Sequence, residues 1–177
     1  MIERAHEGEG TRSLAVYSDC ETYRYALTRE WDAGGRKLMF VMLNPSTASE
    51  LKNDPTVERC ERRARALGFG AFRVTNLFAF RATDPADLRA AAEPVGPDND
   101  SALREGAAWA DQIVAAWGVH GTHLNQAAGV TGLLRAMDVP LFHLGLTRDG
   151  HPRHPLYVSY AQRPVAWQPQ AEPTPAQ

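Results

Sequence analysis

The stretch Lys37-Leu38-Met39-Phe40-Val41-Met42-Leu43-Asn44-Pro45-Ser46-Thr47 decides how this chain is read. An unbroken apolar run bounded by turn chemistry is the signature of a buried strand. Pro45 lacks a backbone donor and fixes its own φ, so the ladder stops there. Open α/β sheets place their ligands at the carboxyl ends of the strands. The polar loop at 44–47 is therefore expected at a ligand site. Asn44 brings an amide that donates and accepts, Pro45 sets the turn, and Ser46 and Thr47 add hydroxyls and backbone donors for an anion. The same four residues also suit an ordinary strand-ending turn.

Upstream, residues 14–17 and 22–31 are rich in Tyr, Val, Leu and Thr and flank Ser18-Asp19-Cys20, a hairpin signal. Gly34-Gly35 then turns the chain into the central strand. Downstream, Asp54-Pro55-Thr56 combines an acidic N-cap with proline at the first helical position. It predicts a helix through Val57, Cys60, Ala64 and Leu67 that stops at Gly68. Residues 71–77 form the next strand. Asp84-Pro85 opens a short helix through Leu88, and Asp98-Asn99 caps another that runs to Trp109. Residues 112–117 read as a third buried strand, 124–137 as a helix and 139–144 as a fourth strand. Such alternation argues for βαβ units and a mostly parallel sheet, with the hairpin adding antiparallel edge strands. One α/β domain is expected over residues 13–160, between a flexible N-terminus at 1–12 and a disordered Pro/Gln-rich tail at 161–177.

A chain of 177 residues with 44% hydrophobic and 23% charged residues buries one ordinary soluble core. No run approaches the roughly 18 apolar residues of a membrane span. Cys20 and Cys60 make no metal-type spacing and read as reduced thiols of a cytoplasmic protein. The net charge of −2 gives no global attraction to nucleic acid, so binding of that kind needs a local patch.

Polar segments follow all four central strands, at 44–47, 76–83, 117–123 and 145–157. In a parallel sheet these ends share one rim, and that convergence argues for a small-molecule or base pocket. In Thr75-Asn76-Leu77-Phe78-Ala79-Phe80-Arg81, the Asn76 amide suits a bidentate pair with a base edge. Phe78 and Phe80 offer a stacking face, and Arg81 a fork for phosphate or carboxylate. Alternatively both rings are core and Arg81 pairs with Asp84 or Asp87. In Gly150-His151-Pro152-Arg153-His154-Pro155, two His-Pro steps hold imidazoles on stiff, extended backbone. Either His151 or His154 suits a hydrogen bond to an oxygen that gains negative charge, and Arg153 suits a phosphate. The histidines lack metal-ligand spacing, so no metal is expected. Arg59, Arg62, Arg63 and Arg65 on the first helix read as a solvated face balanced by Glu58 and Glu61. Cys60, on the apolar side of that helix, is not expected to be a nucleophile. No GxGxxG, P-loop or GxSxG motif is present.

Residues 14–157 closely resemble an uncharacterised bacterial and phage family, domain of unknown function 1643. The matching segments are Met42-Leu43-Asn44-Pro45-Ser46-Thr47-Ala48, Asn53-Asp54-Pro55-Thr56, residues 75–83, Val95-Gly96-Pro97-Asp98-Asn99, Trp117-Gly118 and residues 150–157. More distantly the chain is similar to the uracil-DNA glycosylase superfamily. That resemblance implies a three-layer α/β/α fold around a short, mostly parallel sheet. It implies that Asn44 positions an attacking water, that Asn76 reads the base, and that His154-Pro155 or His151-Pro152 forms the last motif. No serine follows either His-Pro step, and no DNA-intercalating side chain is assignable.

The functional expectation is an N-glycosylase or related hydrolase acting on a nucleobase, in DNA or in a nucleotide. Asn44 and His154 are the expected catalytic residues. Pro45, Ser46, Thr47, Asn76, Arg81, His151 and Arg153 are the expected binding residues. No cofactor is expected, and the partner is a nucleobase-containing ligand, DNA among the candidates, with no membrane. The alternatives are a non-catalytic nucleotide or nucleic-acid binder that uses the same cleft, and an accessory protein.

Overall fold

The apolar run lies at the centre of an eight-stranded sheet. In the computed structural model, which describes residues 1–168, the strands are β1 (Ile2–Gly8), β2 (Thr11–Tyr17), β3 (Arg24–Glu30), β4 (Lys37–Met42), β5 (Ala71–Asn76), β6 (Gln112–Ala115), β7 (Leu141–His143) and β8 (Val165–Ala166). The helices are α1 (Pro55–Ala66), α2 (Pro85–Ala90), α3 (Asn99–Trp109) and α4 (Gln126–Ala136), with 3-10 turns at Val119–Asn125 and Pro155–Tyr157. The spatial order is β1-β2-β3-β5-β4-β6-β7-β8.

Side-chain alternation along β4 feeds two apolar clusters on opposite faces of the sheet. Leu38, Phe40 and Met42 pack with Val57, Cys60 and Ala64 of α1. Met39, Val41 and Leu43 pack with Leu103 and Ala107 of α3 and with Val130 and Leu134 of α4. Residues 38–41 are each 0% exposed, and complete burial of such side chains stabilises by about 1.5–3 kcal/mol apiece. This burial from both sides explains why the run shows no polar alternation.

The helix starts follow the expected chemistry. Asp54 accepts from the Val57 N–H at 2.9 Å to cap α1, and Asp84 accepts from the Ala86 N–H at 2.8 Å to cap α2. Each is followed by proline, whose missing N–H costs nothing in the first turn. Asp98 precedes α3 without a side-chain cap bond.

The expectation of a mostly parallel sheet is corrected. Among the described residues β4 pairs in parallel with β5 and β6, and β6 with β7. The other four pairings, β1·β2, β2·β3, β3·β5 and β7·β8, are antiparallel. The parallel strands are the four central strands expected from the sequence, and the outermost strands β1 and β8 carry no such signal. Residues 1–12, expected to be flexible, contain β1, which is polar and exposed along nearly its whole length. A row of charged side chains is how an edge strand resists pairing with other chains. Residues 161–168, expected to belong to a disordered tail, contain β8, and Trp167 stacks edge-on against Trp117 at 5.7 Å. The remainder of that tail, 169–177, lies outside the described residues.

The arginine cluster on α1 divides in two. Arg62 and Arg65 pair with Glu58 and Glu61 one turn away, as a solvated face should. Arg59 and Arg63 do otherwise. Arg59 donates to the carbonyls of Pro155 and Val158 at 3.0 and 2.7 Å. Arg63, 1% exposed, donates to the carbonyls of Val158, Ser159 and Gln162. Two guanidinium forks thus bind the segment that follows His154 to the helix. No helix among the described residues is long and apolar enough to cross a membrane.

Candidate functional site

The carboxyl ends of β4, β5 and β6, the first turn of α1 and the loop at 147–157 enclose a cavity of about 790 Å³. This size falls within the usual range for small-molecule sites, about 300–1,000 Å³. Asn44, Asn76 and His154 all line it, so three side chains from separate crossings of the sheet meet around one hollow. The pairing Met42↔Asn76 places the two strand ends level, which brings Asn44 and Asn76 to the same rim.

Asn76 terminates β5 and is 1% exposed. Neither its Nδ2 nor its Oδ1 has a hydrogen-bond partner, and less than 1 Å² of either atom is reachable by water. The neighbouring polar groups are satisfied. Thr75 donates to the Phe40 carbonyl at 3.1 Å, and Asn99 donates to the carbonyls of Asn76 and Leu77 at 3.0 and 3.1 Å. The strand end is thus braced by other residues, and the Asn76 amide is left over. A buried polar group without a partner costs about 1–3 kcal/mol, and such a group in a cavity wall calls for a functional explanation.

Asn44 is half-buried, and its Nδ2 donates to the carbonyls of Ala82 at 2.7 Å and Pro45 at 3.0 Å, with a longer contact to Phe80 at 3.4 Å. These bonds tie the loop after β4 to the loop after β5 and fix the plane of the amide. No protein donor reaches its Oδ1 among the described residues, so this oxygen remains an acceptor.

His154 accepts from the Leu156 N–H through Nδ1 at 3.3 Å. That bond assigns the proton of the neutral ring to Nε2. Burial lowers the imidazole below its ordinary value, with Asp54 opposing, so the ring is neutral at pH 7 and presents Nε2–H as a donor. Gly118, at φ 74°, lies beside His154: a Cβ there would make ordinary contact, 3.7 Å, with the His154 Cβ. The Gly118 N–H also donates to the Pro152 carbonyl at 2.8 Å and ties the β6 loop to the His-Pro segment.

The other expected binding residues separate. Ser46, Thr47 and Arg153 line the cavity; Pro45, Arg81 and His151 do not. Pro45 is buried and serves through its carbonyl, which accepts from Asn44 and from the Ala82 N–H at 3.0 Å. Arg81 faces a neighbouring shallow depression with Phe80 and Asp87. It donates to the Glu21 carbonyl at 3.1 Å and lies over the Tyr17 ring, and no ion pair joins it to Asp84 or Asp87. Phe78 is 0% exposed and belongs to the core. Phe80 packs edge-on against Tyr23 at 6.3 Å. Neither ring is a stacking face of the cavity.

Two wall residues escape a reading of the sequence. Arg24, 1% exposed, donates from Nη1 to the Ala48 carbonyl at 2.6 Å, while its Nε is unpartnered. Burial lowers this guanidinium to about 10, with Asp54 opposing. Nothing in Tyr23-Arg24-Tyr25 marks it out, because an arginine in a hairpin strand ordinarily faces solvent. Asp54 is legible as a helix cap, but only the fold shows that the residue also lines the cavity. Cys60 is buried on the inner face of α1 and its thiol is pushed well up by desolvation, which suits a packing role.

Searches among curated proteins and among solved structures found no match. A family described as a protein of unknown function, DUF1643, matches residues 24–156, from β3 to the first turn after His154. The match spans most of the chain and includes Arg24, Asn44, Asp54, Asn76 and His154. The chain therefore belongs to the DUF1643 family.

Proposed function

We propose that this protein hydrolyses the N-glycosidic bond of a nucleobase-containing substrate, a nucleotide or a base in DNA, inside the cavity at the strand ends. The observation that carries the reading is the Asn76 amide, a buried donor and acceptor side by side with no partner in the protein. Its pattern complements the adjacent acceptor and donor on the edge of a base. Because the amide is almost closed off from solvent, a ligand that engages it has to open the wall around it.

The roles follow from the chemistry. The oxygen of water bonds to the anomeric carbon while the carbon–nitrogen bond breaks and its electron pair moves onto the base. Asn44, its Nδ2 committed to carbonyls, orients the water through Oδ1. Asn76 holds the base edge. The Nε2–H of His154 is a donor aimed at charge that develops only as the base departs, the kind of interaction that accelerates a reaction most. Arg153, exposed on the rim, suits a phosphate. The resemblance in motif order to uracil-DNA glycosylases supports the reading. So do helices packed on both faces of the sheet; the finer three-layer arrangement of that superfamily is part of the same proposal.

The test is to incubate the purified protein with oligonucleotides that carry uracil, hypoxanthine or modified pyrimidines, and with the corresponding nucleotides. Free base is then measured by chromatography, and abasic sites by alkali-labile strand breaks. Release from at least one substrate is expected. No release from any of them, beside an active control glycosylase, overturns the proposal. Binding without release, weakened by Asn76→Ala and indifferent to Asn44→Ala, assigns the same cleft to a non-catalytic binder.

A further inference from the structure

Resting on the hydrolytic reading above, we infer that Asp54, the N-cap of α1, is the base that takes the proton of the attacking water. Hydrolysis releases a proton from that water, and an amide such as Asn44 orients water without accepting one. Asp54 is the one carboxylate in the cavity wall among the described residues. The imidazole of His154 is already engaged at Nδ1 by the Leu156 N–H, which leaves it a donor at Nε2.

The carboxylate is held firmly. Oδ1 accepts from the Val57 N–H at 2.9 Å, and Oδ2 accepts from the Ala48 N–H at 3.3 Å. Two backbone bonds leave further lone pairs on a group with about four acceptor sites. The loop that carries it is anchored from β3. Arg24 donates to the Ala48 carbonyl at 2.6 Å, and Arg29 donates to the Ser49 carbonyl at 2.6 Å and to Asn53 Oδ1 at 3.0 Å. A base pinned on both sides keeps its geometry through the reaction.

Four titratable groups feel the charge of Asp54: Arg24 and Arg29 from β3, Cys60 from α1 and His154 from the last loop. In the step, the water oxygen bonds to the anomeric carbon and the carbon–nitrogen pair leaves with the base. The water proton passes to Asp54. Asp54 returns that proton to solvent and the base anion collects one, so a single water is consumed and the carboxylate is regenerated.

Asparagine caps a helix about as well as aspartate, so Asp54→Asn removes the base and keeps the bond from the Val57 N–H, while its NH2 group gives up the longer bond from the Ala48 N–H. On whichever substrate the wild-type protein cleaves, Asp54→Asn is expected to lower kcat by about 10²–10⁴-fold. KM stays nearly unchanged, the melting temperature falls by only about 2–4 °C for the one lost bond, and the acid limb of the pH–rate profile disappears. Added formate restores part of the rate in Asp54→Ala, which a purely structural cap does not do. A wild-type kcat and acid limb in Asp54→Asn overturns the role of Asp54 while leaving the hydrolytic reading standing. Absence of base release by the wild-type protein overturns both.

Discussion

Replacing Asn76 with leucine exchanges a buried, unpaired amide for two methyl groups on the same branched frame. In the wild-type protein both polar atoms of the amide are unpartnered, and the residue is 1% exposed. An unsatisfied buried group costs about 1–3 kcal/mol, whereas an apolar group of similar shape carries no such penalty. Asn76→Leu is therefore expected to raise the free energy of unfolding by about 1–3 kcal/mol. Each kcal/mol corresponds to roughly 2–4 °C in Tm for a protein of this size. The assay is urea denaturation with the slope held in common, checked by a thermal melt, alongside base binding by titration calorimetry. Binding is expected to vanish as stability rises, the trade-off of a residue kept for its ligand. A loss of about 1 kcal/mol or more in Asn76→Leu refutes the reasoning, because it shows that the protein itself satisfies the amide.

Arg63→Met removes three contacts to carbonyls in a site 1% exposed. Hydrogen bonds from charged donors contribute about 1.5–3 kcal/mol each, so a loss of at least about 3 kcal/mol is expected, with amide-exchange protection at 155–162 falling first. Burial lowers His154 below its unfolded value near 6.5. Between those two values the unfolded chain binds more protons, so its contribution to stability rises with pH, is complete above 6.5 and is lost as pH falls through the folded value. Urea unfolding at pH 5 and 7.5 should therefore show a smaller difference in His154→Asn, which still accepts from the Leu156 N–H, than in the wild-type protein. Cys20 is exposed and its thiol is lowered to about 7, first by the hydrogen bond with Ser18 and then by Thr22, whereas Cys60 is buried and raised. Iodoacetamide at pH 7.5 should modify Cys20 in the folded protein and reach Cys60 only on unfolding, as peptide mass spectrometry will show.

The parallel centre of the fold is legible because burial on both faces of β4 and β6 forces continuous apolar runs, and Asp-Pro pairs write the starts of α1 and α2 into the chain. The edges are not legible, for the opposite reason. β1 reads Ile2-Glu3-Arg4-Ala5-His6-Glu7-Gly8 and holds its place by backbone pairing with β2, which is indifferent to side-chain identity. Turn and strand-end chemistry likewise announces Asn44, Asn76 and His154. Arg24 and Asp54 are hidden because their local roles, a hairpin strand and a helix cap, already account for them. Arg81 misleads in the other direction: its position after β5 suggests a rim, but its guanidinium turns to the Glu21 carbonyl and the Tyr17 ring. Which strand-end residue turns inward is set by packing between segments far apart in the chain, such as the hold of Arg59 and Arg63 on the segment after His154.

A crystal structure of the protein soaked with uracil, or with the nucleoside of whichever base it releases, tests most directly whether one ligand is served by Asn44, Asn76 and His154. The expected result is a base inside the cavity, its edge paired with the Asn76 amide, one oxygen within hydrogen-bond distance of His154 Nε2, and a water held by Asn44 Oδ1. A base bound outside the cavity, or one seated there while the Asn76 amide stays unpaired, contradicts it.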